Sequence, residues 1–411
     1  MTVVGVDEDQ ARAWAASGAM ALTGHPTRTP LGPPLGLVPK LVGLADRITS
    51  VAAHLGGELH VDALSLLAER AAVSGLHRGG GISCGGSTRL IQAGERWVAI
   101  TLAREDDIDL VPAWLELDAP CEDPWLAVDN AMSSKRLETL VGRALLLGLP
   151  VGVLPLPEGA MADRPPVRRL SVTGGSSEPA PLAGIVVADL TALWAGPLCG
   201  ALLAAAGATV IKIEAVARPD GARLGPPAFF DLLNAGKQSV ALDLRTNDGV
   251  QSLRTIVGTS DVVLEASRPR ALEQLGIDAA DVVAHGRTRV WASITGHGRT
   301  GAGRERVAFG DDAAVAGGLV CWDESGRPVF CADAIADPTS GLVAATAVLD
   351  ALAGDGRWVL DISMAAVAAD FAGPTLPASS FEVAAPRARA AGAPGPSLGQ
   401  HTASVMAGLT R

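Results

Sequence analysis

The chain has 411 residues, of which 48% are hydrophobic and 19% are charged. This length and composition exclude a small peptide module and a largely disordered protein, and they predict at least two lobes. Acidic residues outnumber basic ones by 44 to 33, which gives a net charge of −11. Such a balance disfavours a nucleic-acid-binding surface, because that surface needs concentrated positive charge. We therefore expect no nucleic-acid partner.

The cysteines and the amino-terminal residues predict a cytoplasmic protein. Five cysteines are scattered along the chain without a metal-ligand spacing, so we expect reduced thiols and no metal site. The first ten residues carry three acids and no apolar segment, which is unlike a secretory signal. Residues 191–211 are uncharged and long enough to cross a bilayer, but glycines and a proline interrupt them. We interpret them as a buried helix between strands and expect no membrane association.

The second half of the sequence alternates short apolar runs with segments rich in Ala and Leu. This alternation predicts an α/β fold with a Rossmann-like lobe, in which helices cover a parallel sheet through right-handed crossovers. The predicted strands are 185–190, 209–213, 239–242, 262–264 and 290–294.

The first half predicts a smaller α+β lobe around a glycine-rich loop at 79–86. Its predicted elements are helices at 41–55, 61–74 and 134–148 and a strand pair near 88–90 and 97–102. Two stretches rich in Pro, Gly and Ser indicate connections. The predicted division is a small α+β lobe at 1–154, a linker at 155–183, a Rossmann-like lobe at 184–372 and a tail at 373–411.

A faint internal repeat relates the two halves. Residues 43–62 are similar to residues 341–361, with one residue inserted in the second copy. Each copy predicts a helix, a glycine break and a strand that ends in Asp. Chance similarity between two Ala-rich helices is the alternative explanation.

Common nucleotide and hydrolase motifs are absent. The loop after Asp189 lacks G-x-G-x-x-G, and Pro197 stands where a phosphate-binding loop needs N–H groups, so NAD binding is disfavoured. No H-E-x-x-H or G-x-S-x-G sequence supports a zinc or serine hydrolase. Lys212 and Lys237, two of only four lysines, fit either a polyphosphate site or a solvated face.

Asp337 is the carboxylate in the most unusual setting. It directly precedes Pro338 and an apolar helix. One interpretation is structural: an N-cap with Pro338 at the first helical position, which contributes about 1 kcal/mol. The other is a functional carboxylate.

Residues 181–411 resemble the family III CoA transferases, also called the CaiB/BaiF family, which include formyl-CoA transferase, carnitine CoA-transferase and α-methylacyl-CoA racemase. The resemblance begins with P-L-A-G at 181–184, A-G-P at 195–197 and G-A-T-V-I-K-I-E at 207–214. It continues through 233–244, 261–276, 293–298 and 398–402.

The resemblance implies that Asp337, in D-P-T-S-G at 337–341, is the nucleophile of a CoA-transferase. Since the ordinary pKa of an aspartate is about 3.9, this carboxylate needs no partner base at neutral pH. The implied substrates are an acyl-CoA and a carboxylic acid, with no tightly bound cofactor. Family members form interlocked dimers, so the resemblance also implies a homodimer.

The same resemblance implies the remaining site residues. The glycine loop resembles the family's mobile loop, and Gly79, Gly80 and Gly81 are predicted to act as lid and oxyanion donors, although a simple flexible turn is the alternative. The predicted CoA contacts are Trp194, Ala195, Arg223, Leu242, Arg245, Gln274 and Leu275. Trp194 fits a core position equally well.

Two departures from the family pattern keep other functions open. Residues 1–153 look like the part of a family chain that normally follows the nucleophile helix, so the segments are rearranged. Ala266 and Ser267 replace the usual Asn-Phe pair, which favours a catalytically silent acyl-CoA-binding paralogue. Phe309 and Gly310 occupy the racemase His-acid positions, so racemisation is disfavoured unless Asp311 or Asp312 supplies the acid.

Overall fold

A computed structural model describes residues 3–156, 164–172, 179–378 and 381–409. The strands in this part of the chain are β1 Thr88–Ala93, β2 Arg96–Thr101, β3 Val151–Val153, β4 Val167–Val172, β5 Val186–Asp189, β6 Thr209–Ala215, β7 Gln238–Leu242, β8 Val262–Glu265, β9 Val290–Thr295, β10 Cys321–Trp322, β11 Pro328–Val329 and β12 Arg357–Ser363. The α-helices are α1 Val3–Ser17, α2 Leu37–His54, α3 Glu69–Ser74, α4 Glu105–Asp109, α5 Val111–Leu115, α6 Pro124–Ser134, α7 Leu137–Leu147, α8 Ala195–Ala205, α9 Pro227–Asn234, α10 Asn247–Thr259, α11 Pro269–Glu273, α12 Ala279–His285, α13 Gly310–Gly317, α14 Ala336–Ala353, α15 Met364–Phe371 and α16 Thr402–Leu409.

A seven-stranded sheet forms the centre of the larger lobe, in the order β4-β12-β9-β8-β5-β6-β7. Strands β12 to β7 in this order are parallel, and β4 pairs antiparallel with β12 at the edge. The α/β prediction is confirmed, and the five predicted strands are β5 to β9. The chain runs from β5 outward to β7 and then returns to the other side of β5 as β8. The crevice at the carboxyl ends of β5 and β8 is where such sheets bind ligands.

Helices cover both faces of this sheet, which explains why its strands are continuous apolar runs. Val262 and Leu264 of β8 lie in the core that also contains residues of α2, α8 and α14. Val263, between them, lies in the opposite core with residues of α10, α12 and α16. The uncharged segment 191–211 supplies α8 between β5 and β6, as predicted. None of the helices in the described residues is long and apolar enough to span a membrane.

The predicted 1–154 unit contributes to more than one core. Strands β1, β2 and β3 form an antiparallel sheet whose core, with residues from α5, α6 and α7, includes Val98, Trp114 and Leu140. Earlier residues such as Trp14 and Leu41 instead join the core of the larger lobe. The smaller lobe is therefore built from the later part of this unit.

The predicted linker at 155–183 contains β4, whose residues pair with β12 from Arg357↔Val172 to Ile362↔Val167. The segment is therefore partly a sheet strand and not only a connection. Residues 157–163 and 173–178 lie outside the described residues. In the predicted tail, the hydroxyl of Thr402 accepts a hydrogen bond from the backbone of Ala241 at 3.0 Å, which fixes α16 beside β7.

The two copies of the faint repeat pack against each other as α2 and α14. Only the second copy continues into a strand, β12, which contains Asp361. The predicted strand of the first copy is wrong, because residues 57–62 have no regular secondary structure.

Candidate active site

Asp337 is the second residue of α14, and the loop before it has an unusual backbone. Ala332 and Ala334 have φ angles of 53° and 43°, in the left-handed region that non-glycine residues rarely adopt. Such strain persists only where surrounding contacts impose it, and it is frequent at functional sites. The helix begins at Ala336, its N-cap is Ile335, and no side chain caps it. The interpretation of Asp337 as an N-cap is therefore wrong.

The Asp337 carboxylate instead lies against the amino end of α13. The backbone of Gly310, the first residue of that helix, donates a hydrogen bond to it. A Cβ atom on Gly310 would lie 2.4 Å from Asp337 Oδ2 and 2.4 Å from the carbonyl oxygen of Ala334. Glycine is thus required here, because a side chain would displace the carboxylate or the strained loop.

Arg70 of α3 provides the positive charge of this site. Its Nε donates to Asp333 Oδ2 at 2.8 Å, and its Nη2 donates to the other oxygen of the same carboxylate. Asp333 is fully buried. The guanidinium carbon lies 5.3 Å from the centroid of the Trp194 ring. Arg70 is thus held by a bidentate ion pair below an aromatic ring, and its charge also acts on Asp311 and Asp337.

Burial raises the pKa values of two acids of the site, Asp337 and Asp311. It raises the pKa of Asp337 to about 7, while Arg70 opposes this shift and Asp311 and Asp333 add to it. Burial likewise raises the pKa of Asp311 to about 7, against the influence of Arg70. The expectation that Asp337 keeps an ordinary aspartate pKa is therefore wrong, because three carboxylates share one guanidinium in a desolvated place.

The glycine loop reaches this cluster through its later residues. The Ser83 hydroxyl hydrogen-bonds to Asp311, and Cys84 Sγ lies 3.5 Å from the carbonyl oxygen of Ala332. A Cβ atom on Gly85 would lie 3.4 Å from an Arg70 nitrogen. The segment Ser83-Cys84-Gly85 therefore covers the site.

Of the three earlier glycines predicted as oxyanion donors, Gly80 has another partner for its N–H. The Gly80 N–H donates to the carbonyl of Gly24 at 3.1 Å, and the Gly81 carbonyl accepts from Leu90 at 2.8 Å. In this conformation the Gly80 N–H is not available to an oxyanion, and the amide that contacts Asp337 belongs to Gly310. Gly79 approaches Ile82, at the base of the same turn.

Two predicted CoA contacts lie beside the carboxylate cluster. Trp194 is buried, contacts Phe229 edge-on at 5.3 Å and faces Arg70. Ala195 begins α8, and a Cβ atom on Gly341 of α14 would lie 2.7 Å from its carbonyl oxygen. The start of α8, which follows the carboxyl end of β5, thus contacts α14 about one turn after Asp337.

Three other predicted contacts lie together on the surface. Arg245, Gln274 and Leu275 line one groove of about 700 Å³, which Arg254 also lines. Arg245 is exposed and pairs with Asp243 at 2.8 Å. Asp337 does not line this groove.

The remaining two predicted contacts have structural partners. Arg223 forms a bidentate pair with Glu214, at 2.9 and 2.7 Å, and lies 4.1 Å above the Phe230 ring. Leu242 is buried in the core on the α10 side of the sheet. The structure does not bring Arg223 and Leu242 to the Asp337 cluster.

Neither interpretation of the two central lysines is correct. Lys212 and Lys237 have no exposed side-chain surface and pair with Asp220 at 2.7 Å and Asp189 at 2.9 Å. Lys212 also donates to the carbonyl of Thr191 at 3.0 Å. These lysines stabilise the loops after β5 and β6 from inside, so they form neither a phosphate site nor a solvated face.

The residues at which this sequence departs from the family pattern form hydrogen bonds with defined partners. The Ser267 hydroxyl donates to Glu265 at 3.2 Å. Asp312 accepts from Phe309 N at 2.8 Å and from Thr101 at 3.0 Å, and so caps α13. Of the two acids considered for racemisation, Asp311 lies in the site and Asp312 supports it.

Sequence reasoning missed Arg70, Asp333, Ser83 and the role of Gly310. Asp333 had a local signal, since it is a second acid four residues before Asp337. Arg70 had none, because its position depends on how α3 packs against a loop more than 260 residues later. Among the described residues, no group of three or more His, Cys, Asp or Glu side chains is arranged to hold a metal ion.

The fold and these contacts define a doubly wound α/β protein with a candidate nucleophilic carboxylate where two helices begin. The sequence profile of CoA-transferase family III matches residues 182–402, which is more than half of the chain. The chain belongs to this family.

Known relatives carry the names of CoA transferases. The succinate–glutarate CoA-transferase of Agrobacterium fabrum is 31% identical over 215 residues, which cover 46% of this chain and 53% of that protein. A probable fatty acyl-CoA transferase of Mycobacterium tuberculosis is 35% identical over 188 residues, 43% of this chain and 48% of that protein. A crystal structure of a hypothetical protein from Mycobacterium tuberculosis is 34% identical, covers 47% of this chain and 57% of its own, and has a TM-score of 0.42. The chain thus spans about half the length of the curated relatives it matches.

Proposed function

We propose that the protein transfers CoA between carboxylic acids and that Asp337 is its covalent nucleophile. The observation that carries this proposal is the Asp337 carboxylate at the start of α14, hydrogen-bonded by Gly310 and close to the Arg70 guanidinium. Family membership supports the reaction class. The succinate–glutarate and fatty acyl relatives support CoA thioesters as substrates, without selecting one acyl group.

In the first half-reaction, an oxygen of Asp337 attacks the thioester carbon of the acyl-CoA. A C–O bond forms and the C–S bond breaks, which gives a mixed anhydride and CoA thiolate. The thiolate then attacks the Asp337 carbonyl carbon. The first acid leaves as a carboxylate, and an aspartyl-CoA thioester remains on the enzyme.

In the second half-reaction, the incoming carboxylate attacks the aspartyl thioester carbon and expels CoA thiolate. The thiolate attacks the acyl carbon of the new anhydride, which forms the new acyl-CoA and returns Asp337 to its carboxylate form. Charge and atoms balance without an added oxidant or base.

The surroundings of Asp337 suit these steps. Water must be kept from the anhydride, and the segment Ser83-Cys84-Gly85 covers the site. The Gly310 N–H already donates to the Asp337 carboxylate, and when the thiolate or the incoming carboxylate attacks the aspartyl carbonyl carbon it can stabilise the oxyanion that forms there. Trp194 and Ala195 lie on the side where α8 begins, and they are the residues we place against the pantetheine arm.

A pH dependence follows from the position of Asp337. Only its ionised form attacks, and burial raises its pKa to about 7. We therefore expect the transfer rate to rise as the pH increases, with the midpoint of the rise at about pH 7. A normal aspartate would give a flat rate in this range.

The test compares the wild-type protein with Asp337→Asn and Asp337→Glu. Each is incubated with radiolabelled carboxylate and a panel of acyl-CoA donors, and label in CoA thioester is measured. We expect transfer by the wild type only, with all three proteins equally folded by circular dichroism. Transfer by Asp337→Asn at the wild-type rate would contradict the proposal. Deuterium entering the α-carbon of a branched acyl-CoA would instead support the racemase alternative, and CoA binding without either reaction would support a silent binder.

A further inference from the structure

We propose that Arg70 is the positioning residue of the candidate site: its guanidinium binds Asp333 in the strained loop before Asp337, holds that loop in place and favours the ionised form of Asp337. This inference rests on the proposed function of Asp337, but its test does not require turnover. It also gives the amino-terminal segment a part in the reaction, because Arg70 comes from α3 and the carboxylates come from the second half of the chain.

The first step of the argument is the geometry of the clamp. Two nitrogens of Arg70 bind the two oxygens of Asp333, one of them at 2.8 Å. A planar guanidinium bound in this bidentate way has a fixed orientation. Asp333 is fully buried and lies in the strained loop that leads to Asp337. The clamp therefore ties Arg70 to the backbone that positions the candidate nucleophile.

The second step is the charge count around the guanidinium. The titratable groups that face Arg70 come from each element packed against it: Asp333 in the loop, Asp337 on α14, Asp311 on α13 and Cys84 on the glycine loop. Trp194 at the start of α8 covers it without adding charge. The neighbouring acid on α3, Glu69, pairs with Arg389 at 3.3 Å instead. Arg70 is thus the one cation shared by three acids within this group.

The third step is the direction of each effect. Arg70 opposes the burial that raises the pKa of Asp337, and Asp333 acts in the same direction as burial. Removing Arg70 should therefore raise the pKa of Asp337 further. Asp333→Asn removes the repelling charge but keeps a side-chain oxygen that accepts from Arg70, so the guanidinium stays in the site and the pKa of Asp337 should fall. An ion pair too far from Asp337 to act on its charge predicts no such opposite shifts.

The experiment measures the protonation of Asp337 directly. The full-length protein is treated briefly with a water-soluble carbodiimide and an amine at a series of pH values. Since the labelling rate is proportional to the protonated fraction of a carboxyl, the initial labelling rate of Asp337, followed by tandem mass spectrometry, falls with pH and gives a midpoint. The variants are Arg70→Met, Arg70→Lys and Asp333→Asn. The control is Arg47→Met, which breaks an exposed ion pair with Asp350 on the far part of α14.

We expect the midpoint to rise by about one pH unit or more in Arg70→Met and to fall in Asp333→Asn. Arg70→Lys keeps the charge, so its midpoint should stay near that of the wild type even if its transfer rate falls. Arg47→Met should leave the midpoint unchanged. Midpoints that stay equal in Arg70→Met and Asp333→Asn, or that move in the same direction, would overturn the proposal.

The same set separates this inference from the proposed function. If the wild type transfers CoA, the acidic limb of the pH–rate profile of each active variant should shift in the same direction as its labelling midpoint. If Asp337 forms no acyl adduct with any donor, the proposed function fails, yet the midpoints still decide whether Arg70 controls the carboxylate. Should Arg70→Met unfold, the other two variants still test the proposal. The Asp333→Asn midpoint should then lie below the midpoints of the wild type and Arg70→Lys, and equal midpoints would overturn the proposal.

Discussion

At the residue scale, two ion pairs lie under the loops that approach the candidate site. Lys237 and Asp189 are joined at 2.9 Å, and Lys212 and Asp220 at 2.7 Å, with none of their side-chain surface exposed. Lys237 also donates to the carbonyl of Pro197 in the first turn of α8. The lysines also donate to nearby carbonyls, and the carboxylates also accept from nearby backbone N–H groups. Losing one charge of a pair nevertheless leaves the other buried without an ion partner.

We therefore expect Lys237→Met to lower the free energy of unfolding by about 3–5 kcal/mol, measured by urea denaturation. The double variant Lys237→Met with Asp189→Leu should recover much of this loss, because it removes both charges. Arg245→Met, which breaks an exposed pair, should change stability far less. If Lys237→Met and Arg245→Met lower the free energy of unfolding equally, the buried pair is no more important for stability than the exposed one.

At the element scale, the amino ends of α13 and α14 fit together through one glycine. Gly310 approaches the carbonyl of Ala334 and the carboxylate of Asp337, each at 2.4 Å from the position of a Cβ atom. A methyl group at position 310 would push the two helices apart and would therefore move Asp337. The position of the carboxylate is thus set by helix packing and by the strained loop together.

Gly310→Ala should consequently lower kcat/KM for CoA transfer about 100-fold, the cost of misplacing one oxyanion donor. The matched control is Gly43→Ala on the exposed face of α2, where a Cβ atom meets nothing within 4 Å. That change should stabilise the protein by about 0.5–1 kcal/mol and leave transfer unchanged. Thermal unfolding and steady-state rates of both variants provide the comparison, and an active Gly310→Ala protein would contradict this account of the site.

The elements also show what the sequence could predict. Strands β5 to β9 are buried on both faces, so their apolar runs are visible without a structure. Strand β4 was missed because Arg168 and Arg169 interrupt its pattern and it lies antiparallel at the sheet edge, within a stretch rich in Pro and Gly. Lys212 and Lys237 were misjudged because their partners, Asp220 and Asp189, are brought to them only by the fold.

At the scale of the whole molecule, both halves of the chain build the candidate site. The first half contributes Arg70 and the segment Ser83-Cys84-Gly85, and the second contributes Asp311, Asp333 and Asp337. A family resemblance identified Asp337 from a short motif, whereas Arg70 could not be found because contacts between distant segments leave no local pattern. The rearranged order of segments that the resemblance implies stays a prediction, as does a working site within one chain. The homodimer implied by the resemblance stays a prediction.

The most direct measurement is the mass of the peptide that contains Asp337 after reaction with an acyl-CoA. The wild-type protein is mixed with the donor in the absence of an acceptor acid, quenched with hydroxylamine, digested and analysed by tandem mass spectrometry, with Asp337→Asn treated in parallel. We predict that Asp337 of the wild type gains the mass of a hydroxamate and that Asp311 and Asp333 do not. If donors that yield transfer leave Asp337 unmodified, or if another carboxylate carries the hydroxamate, the covalent role of Asp337 is contradicted.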